Sequence, residues 1–168
     1  MMQELSFTEG IIETESGPIS VRELSYFLYH FRAVYVEALS YKQTHQIYNM
    51  PRENEIAQIA KEIAQRLAMK GHLGVSRNAL ANLPAEEELA IAHISRRNPL
   101  DVVFSCVGVA LAAAVIISGG EIQLGKDGFK VKLPPLGKGI AELKKAIYDN
   151  KKPEAQRPPG TDDSTSDE

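Results

Sequence analysis

Residues Val102 to Ser118 read VVFSCVGVALAAAVIIS, a stretch with no charged side chain, and its reading decides the fold. Asn98 suits an N-cap, Pro99 the first helical position, Asp101 the first turn, and Gly119-Gly120 a stop, so the pattern predicts one helix from Pro99 to Ser118. At 1.5 Å per residue such a helix spans about 30 Å, the hydrocarbon thickness of a bilayer. Its large residues (Val102, Val103, Phe104, Val107, Val109, Leu111, Val115, Ile116 and Ile117) point in every direction. A helix apolar all round is enclosed by protein or sits in lipid. Its small residues fall in rows, Cys106, Ala110, Ala114 and Ser118 in one and Gly108 and Ala112 in another, and these rows are the expected helix-packing or oligomer face.

The rest of the 168-residue chain bounds the alternatives. A net charge of −3 gives no global attraction to nucleic acid. With 43% hydrophobic and 24% charged residues, the chain has the makings of a core and is not disordered throughout. One cysteine, Cys106, excludes an intramolecular disulfide and a cysteine-cluster metal site. The opening residues, MMQELSFTEG, lack the basic segment and apolar run of a secretory signal, so a cytoplasmic or inner-membrane-associated protein is expected, not a secreted one.

In chain order, Leu5–Glu13 reads as a bent strand or small hairpin around Gly10, followed by a Gly17-Pro18 turn. Ser20-x-x-Glu23 is a capping box opening a long amphipathic helix that runs to about Gln43. A second helix is predicted from Pro51 to Lys70, with Gly71 and Gly74 ending it, and a short third one over Ser76–Leu83. Glu86-Glu87-Glu88 reads as a solvated run, and Leu89–Ser95 as a strand pairing with the N-terminal one. Glu121–Leu124 and Phe129–Leu133 flank a Gly125–Gly128 turn as a β-hairpin, and a basic amphipathic helix covers Lys138–Asp149. From Asn150 the composition is proline-rich and acidic without large apolar residues, the pattern of a disordered tail.

The fold class is therefore helix-rich α+β: two long amphipathic helices, short strands in a small sheet, a C-terminal hairpin and one all-apolar central helix, either membrane span or buried core. Residues 1–97 form an N-terminal α+β cytosolic part, 98–119 the apolar helix, 120–149 the hairpin and basic helix, and 150–168 the tail.

Chemistry is sparse. Gly120 to Asp127 approximates a phosphate loop, but Asp127 stands where a hydroxyl must meet magnesium, and the loop leads into a strand. Gly137-Lys138-Gly139 at a helix entry is better explained by local geometry than by anion binding. His30, His45, His72 and His93 form no pair at ligand spacing, and His93 is the one expected to be buried. No cofactor, metal or catalytic residue is indicated. One regional feature stands out: residues 120–152 hold eight lysines against four carboxylates. Of these, Lys126, Lys130, Lys132, Lys144 and Lys145 are the candidate contacts to anionic lipid headgroups.

The expected function is that of a small, non-enzymatic, membrane-associated protein acting through its apolar helix, with a homo-oligomer and membrane lipid as partners and nucleic acid disfavoured. The alternatives are a soluble homo-oligomeric interaction module with that helix as its core or interface, and an enzyme whose site the sequence does not display.

Overall fold

A polyalanine-like run and a β-branched run prefer different backbones, and the chain divides at that seam. In the computed structural model, which describes residues 8–12, 19–96, 100–105, 108–125 and 128–149, the stretch expected to be one helix is a strand followed by a short helix. Leu100–Ser105 is β3, and Gly108–Ile117 is α3. Val102, Val103 and Phe104 are stiff or aromatic at χ1 and suit a pleated sheet, whereas Ala110 to Ala114 is dominated by the best helix former. Ten residues of helix span about 15 Å, half a bilayer. Among the described residues no helix is long and apolar enough to cross a membrane, which overturns the reading of this stretch as a transmembrane helix and of the protein as a membrane protein on that ground.

The elements in order are β1 (Thr8–Ile12), α1 (Val21–Thr44), α2 (Glu53–Ala79), β2 (Ala90–Arg96), β3, α3, β4 (Glu121–Gly125), β5 (Gly128–Leu133) and α4 (Leu136–Tyr148). The chain is a helix-rich α+β protein. The strands form one sheet in the order β2-β3-β1-β5-β4, with β1 at its centre, antiparallel to β3 and parallel to β5. Gly10 lies opposite Val102 on one side and Val131 on the other. The expectation that residues 89–95 pair with the N-terminal strand gives way to pairing with β3, a partner brought in by a far shorter loop. The edge strand β4 pairs antiparallel with β5 from Glu121↔Lys132 to Gly125↔Gly128. The predicted Gly17-Pro18 turn, the Asn98-Pro99 cap, Cys106, Lys126-Asp127 and the tail from Asn150 lie outside the described residues.

The core is α3. Ala110 to Val115 are buried, and α1, α2 and α4 pack around it. The cover that a whole apolar span could not have found within one subunit is supplied to this shorter helix by the same chain. Gly119, at φ +80°, ends α3: its N–H bonds to the Ile116 carbonyl, and that of Gly120 to the Val115 carbonyl, a Schellman closure that favours glycine at the left-handed position.

The second long helix also departs from expectation. It does not end at Gly71 but bends there and continues to Ala79, absorbing the first part of the predicted Ser76–Leu83 helix. Gly71 has φ 65° and ψ −161°, a region essentially reserved for glycine, so the residue read as a stop is a hinge between two helical segments. The bend is held from α1 by Glu37, which is fully buried. Lys70 Nζ donates to Glu37 Oε2 at 2.5 Å, and Arg66 Nε lies 3.2 Å from Oε1, both from the segment before the bend. Asn78 Nδ2, from the segment after it, donates to Oε2 at 2.9 Å.

A second clamp closes the far end of α2. Arg32 on α1 donates to the carbonyls of Ala79 at 2.6 Å and Ala81 at 2.7 Å, and forms a two-point pair with Glu88 at 2.9 and 2.7 Å. The guanidinium thus satisfies carbonyls that the helix end leaves open. Tyr35 donates to the Glu87 carbonyl at 2.7 Å, so the Glu86-Glu87-Glu88 run is anchored to α1 and not merely solvated.

Two substitutions test these joints. Gly71→Ala should lower the unfolding free energy in urea by about 1–3 kcal/mol, the cost of forcing a side chain into this backbone region. Glu37→Ala should cost about 1–3 kcal/mol, because it removes the acceptor of the buried Asn78 amide while Lys70 and Arg66 can turn to water; a loss below that of an average surface substitution would show that Glu37 does not hold the bend.

Candidate functional site

Helices α1, α2 and α4 meet at a group of rings and cations. His30, in the middle of α1, is buried at 3% exposure, so His93, whose side chain lies outside the described residues, is not the sole candidate for a buried histidine. His30 Nδ1 lies 2.9 Å from the Tyr26 carbonyl, which can only accept, so Nδ1 carries the proton. The neutral ring then has a lone pair on Nε2, and the Tyr148 hydroxyl, 3.1 Å away at the end of α4, donates to it. The other face of Tyr148 is covered by His72 of α2, whose ring stacks on it with centroids 4.6 Å apart. Tyr26 packs on His30 at 4.2 Å between centroids, and Lys144 Nζ sits 4.9 Å above the Tyr26 ring as a cation–π contact.

The electrostatics follow from this packing. Burial lowers the pKa of His30 below its usual value; the Tyr26 carbonyl opposes the shift, while Lys144 and His72 reinforce it. Burial raises that of the Tyr148 phenol, with Tyr26 and Tyr29 adding to the effect. Both His30 nitrogens are engaged, one by a carbonyl and one by a phenol, so the ring fastens α4 to α1 and has no free nitrogen to offer a substrate. Among the described residues no group of three or more His, Cys, Asp or Glu is placed to hold a metal ion.

Outward from this cluster lies a surface of distinctive composition. Residues 63–85 contain no aspartate or glutamate. Within them Met69 is 86% exposed and Leu73 82% exposed, on either side of the Gly71 bend. Lys70, His72 and Arg77 are exposed in the same run, and Lys144 and Lys145 are exposed on α4, of which Lys144 is joined to His72 through Tyr26, His30 and Tyr148. Within the described residues neither Arg77 nor Lys145 is ion-paired with a carboxylate. Glu142 leans toward Gly119, which leaves Asp149 as the rim carboxylate of α4.

The residues singled out from the sequence are dispersed. Ala110, Ala112, Ala114 and Ser118 are buried inside the chain, and Gly108 is half-buried at the start of α3, so the small-residue rows pack against this chain's own helices. Cys106 lies outside the described residues. Of the five lysines proposed for anionic headgroups, Lys126 is outside the described residues, Lys130 falls within β5, Lys132 is exposed on β5, Lys145 is exposed on α4, and Lys144 lies near His30 and His72. Sequence reasoning missed His72, Met69, Leu73 and Arg77. The signal was present as a carboxylate-free run with two large apolar residues off the buried stripe, but a helix assumed to stop at Gly71 concealed it.

Comparison with protein-family models, with curated proteins and with solved structures gives no match to this chain.

The lowered His30 pKa sets a pH dependence. The unfolded chain binds a proton near pH 6.5 and the folded one only at lower pH, so this contribution to stability is full above about pH 6.5 and is lost as pH falls toward the folded value. Urea unfolding midpoints should therefore fall between neutral and mildly acidic pH, and His30→Gln should flatten that dependence. An unchanged pH profile in the variant would remove His30 from the account.

Proposed function

We propose that the protein is a non-enzymatic interaction module whose working surface is the outer face of α2 and the C-terminal half of α4, and that it binds an acidic, partly apolar protein segment. The observation that carries this reading is the presence of two almost fully exposed apolar side chains, Met69 and Leu73, in a run free of carboxylates that also exposes His72 and Arg77. Apolar anchors surrounded by cations supply contact area and carboxylate recognition together. The surface already holds a carboxylate on its inner side, since Arg66 and Lys70 grip Glu37, and Arg77 adds a planar fork suited to another.

This replaces the apolar central helix as the working part: α3 is enclosed by its own chain and has no outer face to offer a partner.

The test is titration of the isotope-labelled full chain with poly-L-glutamate, read by amide chemical shifts at low salt. Shifts should concentrate on residues 70–77 and 144–148, and Leu73→Glu combined with Arg77→Glu should weaken binding at least tenfold, equivalent to about 1.4 kcal/mol. Shifts spread evenly over the molecule would overturn the reading. So would binding to phosphatidylglycerol vesicles without any response to poly-L-glutamate, which would make the face a lipid surface.

A further inference from the structure

The helices around α3 are not fastened equally. α2 is tied to α1 at two places by charged groups, through Glu37 and through Arg32. No ion pair joins α4 to α1 or α2 among the described residues. Its start is held by close packing, since a Cβ added at Gly139 would lie 2.7 Å from Phe27 Cε2. Its end is held by Tyr148, whose hydroxyl meets His30 and whose ring lies on His72. We propose that this end of α4, residues 143–148, is an acid-released latch: uptake of one proton by His30 frees it from α1 and α2 while the remainder of the fold stays closed.

The hydrogen bonds of the closed form require a neutral ring. Nδ1–H donates to the Tyr26 carbonyl, and Nε2 accepts from the Tyr148 hydroxyl. A second proton, on Nε2, turns that acceptor into a donor, so the phenol must reverse its role, and a cation then stands at a position only 3% exposed. The titratable groups facing the ring are Tyr26 and Tyr29 from α1, His72 from α2, and Lys144 and Tyr148 from α4, while α3 contains none. None of them is a carboxylate that could balance the charge, and Lys144 and His72 oppose it. Lifting the end of α4 relieves all three difficulties together: it hydrates the ring, releases the phenol and carries Lys144 away. Moving α2 would instead break the contacts of Glu37 and Arg32.

Once released, His30 returns toward its ordinary value of 6.5, so opening takes up a proton and is favoured as pH falls below about 6.5. One proton multiplies the opening equilibrium by at most about tenfold for each pH unit. Release bares Leu143 and Ile147, which are buried in the closed form, beside Lys144 and Lys145. An apolar strip flanked by cations is thus displayed in acid and withheld at neutral pH.

Native-state amide hydrogen exchange on the full chain, at about pH 7.5 and about pH 5 and with urea kept below the unfolding transition, tests this directly. Protection factors, corrected for the intrinsic pH dependence of exchange, should fall roughly tenfold or more over residues 143–148 at the lower pH. Their exchange should respond weakly to urea, because a local opening exposes little surface, whereas α3 should exchange with the full urea dependence of global unfolding. His30→Gln should abolish the acid-induced loss. Lys144→Met, at an exposed position that leaves the core intact, should shrink it by removing a like charge, and it decides the matter if His30→Gln does not fold. Equal urea dependence for α3 and residues 143–148 would mean that α4 leaves only on global unfolding, and would overturn the latch. So would protection over residues 143–148 that ignores pH, or an acid-induced loss that persists undiminished in either folded variant.

Discussion

A carboxylate removed from water has to be met by donors, and the arrangement of α1 and α2 depends on how Glu37 is met. Its partners come from both sides of a bend: Lys70 donates to it from before Gly71 and Asn78 from after it, and Arg66 adds an ion pair. The bend is available because Gly71 lacks a Cβ, and it is kept because donors from both segments converge on one buried carboxylate. Drawing Lys70 and Arg66 inward to Glu37 leaves the opposite side of the helix to Met69 and Leu73, so the buried grip and the exposed apolar pair are two sides of one geometry.

Arg32 does for the end of α2 what Glu37 does for its middle. Its planar fork spans three backbone carbonyls and a carboxylate, a task an ammonium group cannot reproduce because its donors radiate from one point. The pair holds the Glu88 carboxyl below the usual range, chiefly through the Arg32 hydrogen bonds, so the clamp is ionised at neutral pH. With α2 fixed at two points on α1, the groove between them is filled by the small side chains of α3. Alanines at this density allow three helices to approach closely, and the packing of α3 follows from their size as much as from their apolarity.

Fastening α4 completes the outer surface. Tyr148 bridges His30 of α1 and His72 of α2, while Lys144 of α4 sits over Tyr26, the ring packed on His30. His72 and Lys144, distant in sequence, thereby act on the same buried imidazole. The same junction makes the assembly sensitive to acid, since protonating a buried imidazole beside a lysine and a second histidine is opposed by burial and by like charge.

Local chemistry determined a good deal by itself. Ser20 and Glu23 fixed the start of α1, the three-and-four spacing of Phe27, Phe31 and Val34 set its buried face, and Gly119-Gly120 stopped α3. The helix-rich α+β class was legible from the same patterns. Where the sequence misled, two conformations satisfied the local rules equally. An apolar run without breakers can be one helix or a strand and a helix, and periodicity does not separate them; pairing of β3 with both β1 and β2 decided it. A glycine after an amphipathic stretch can stop a helix or bend it, and the buried carboxylate of Glu37, from a different helix, decided that. The candidate surface was illegible for the same reason. His72 and Lys144 are far apart in sequence, and only long-range contacts through Tyr148, His30 and Tyr26, which depend on distance in space and not along the chain, bring them together.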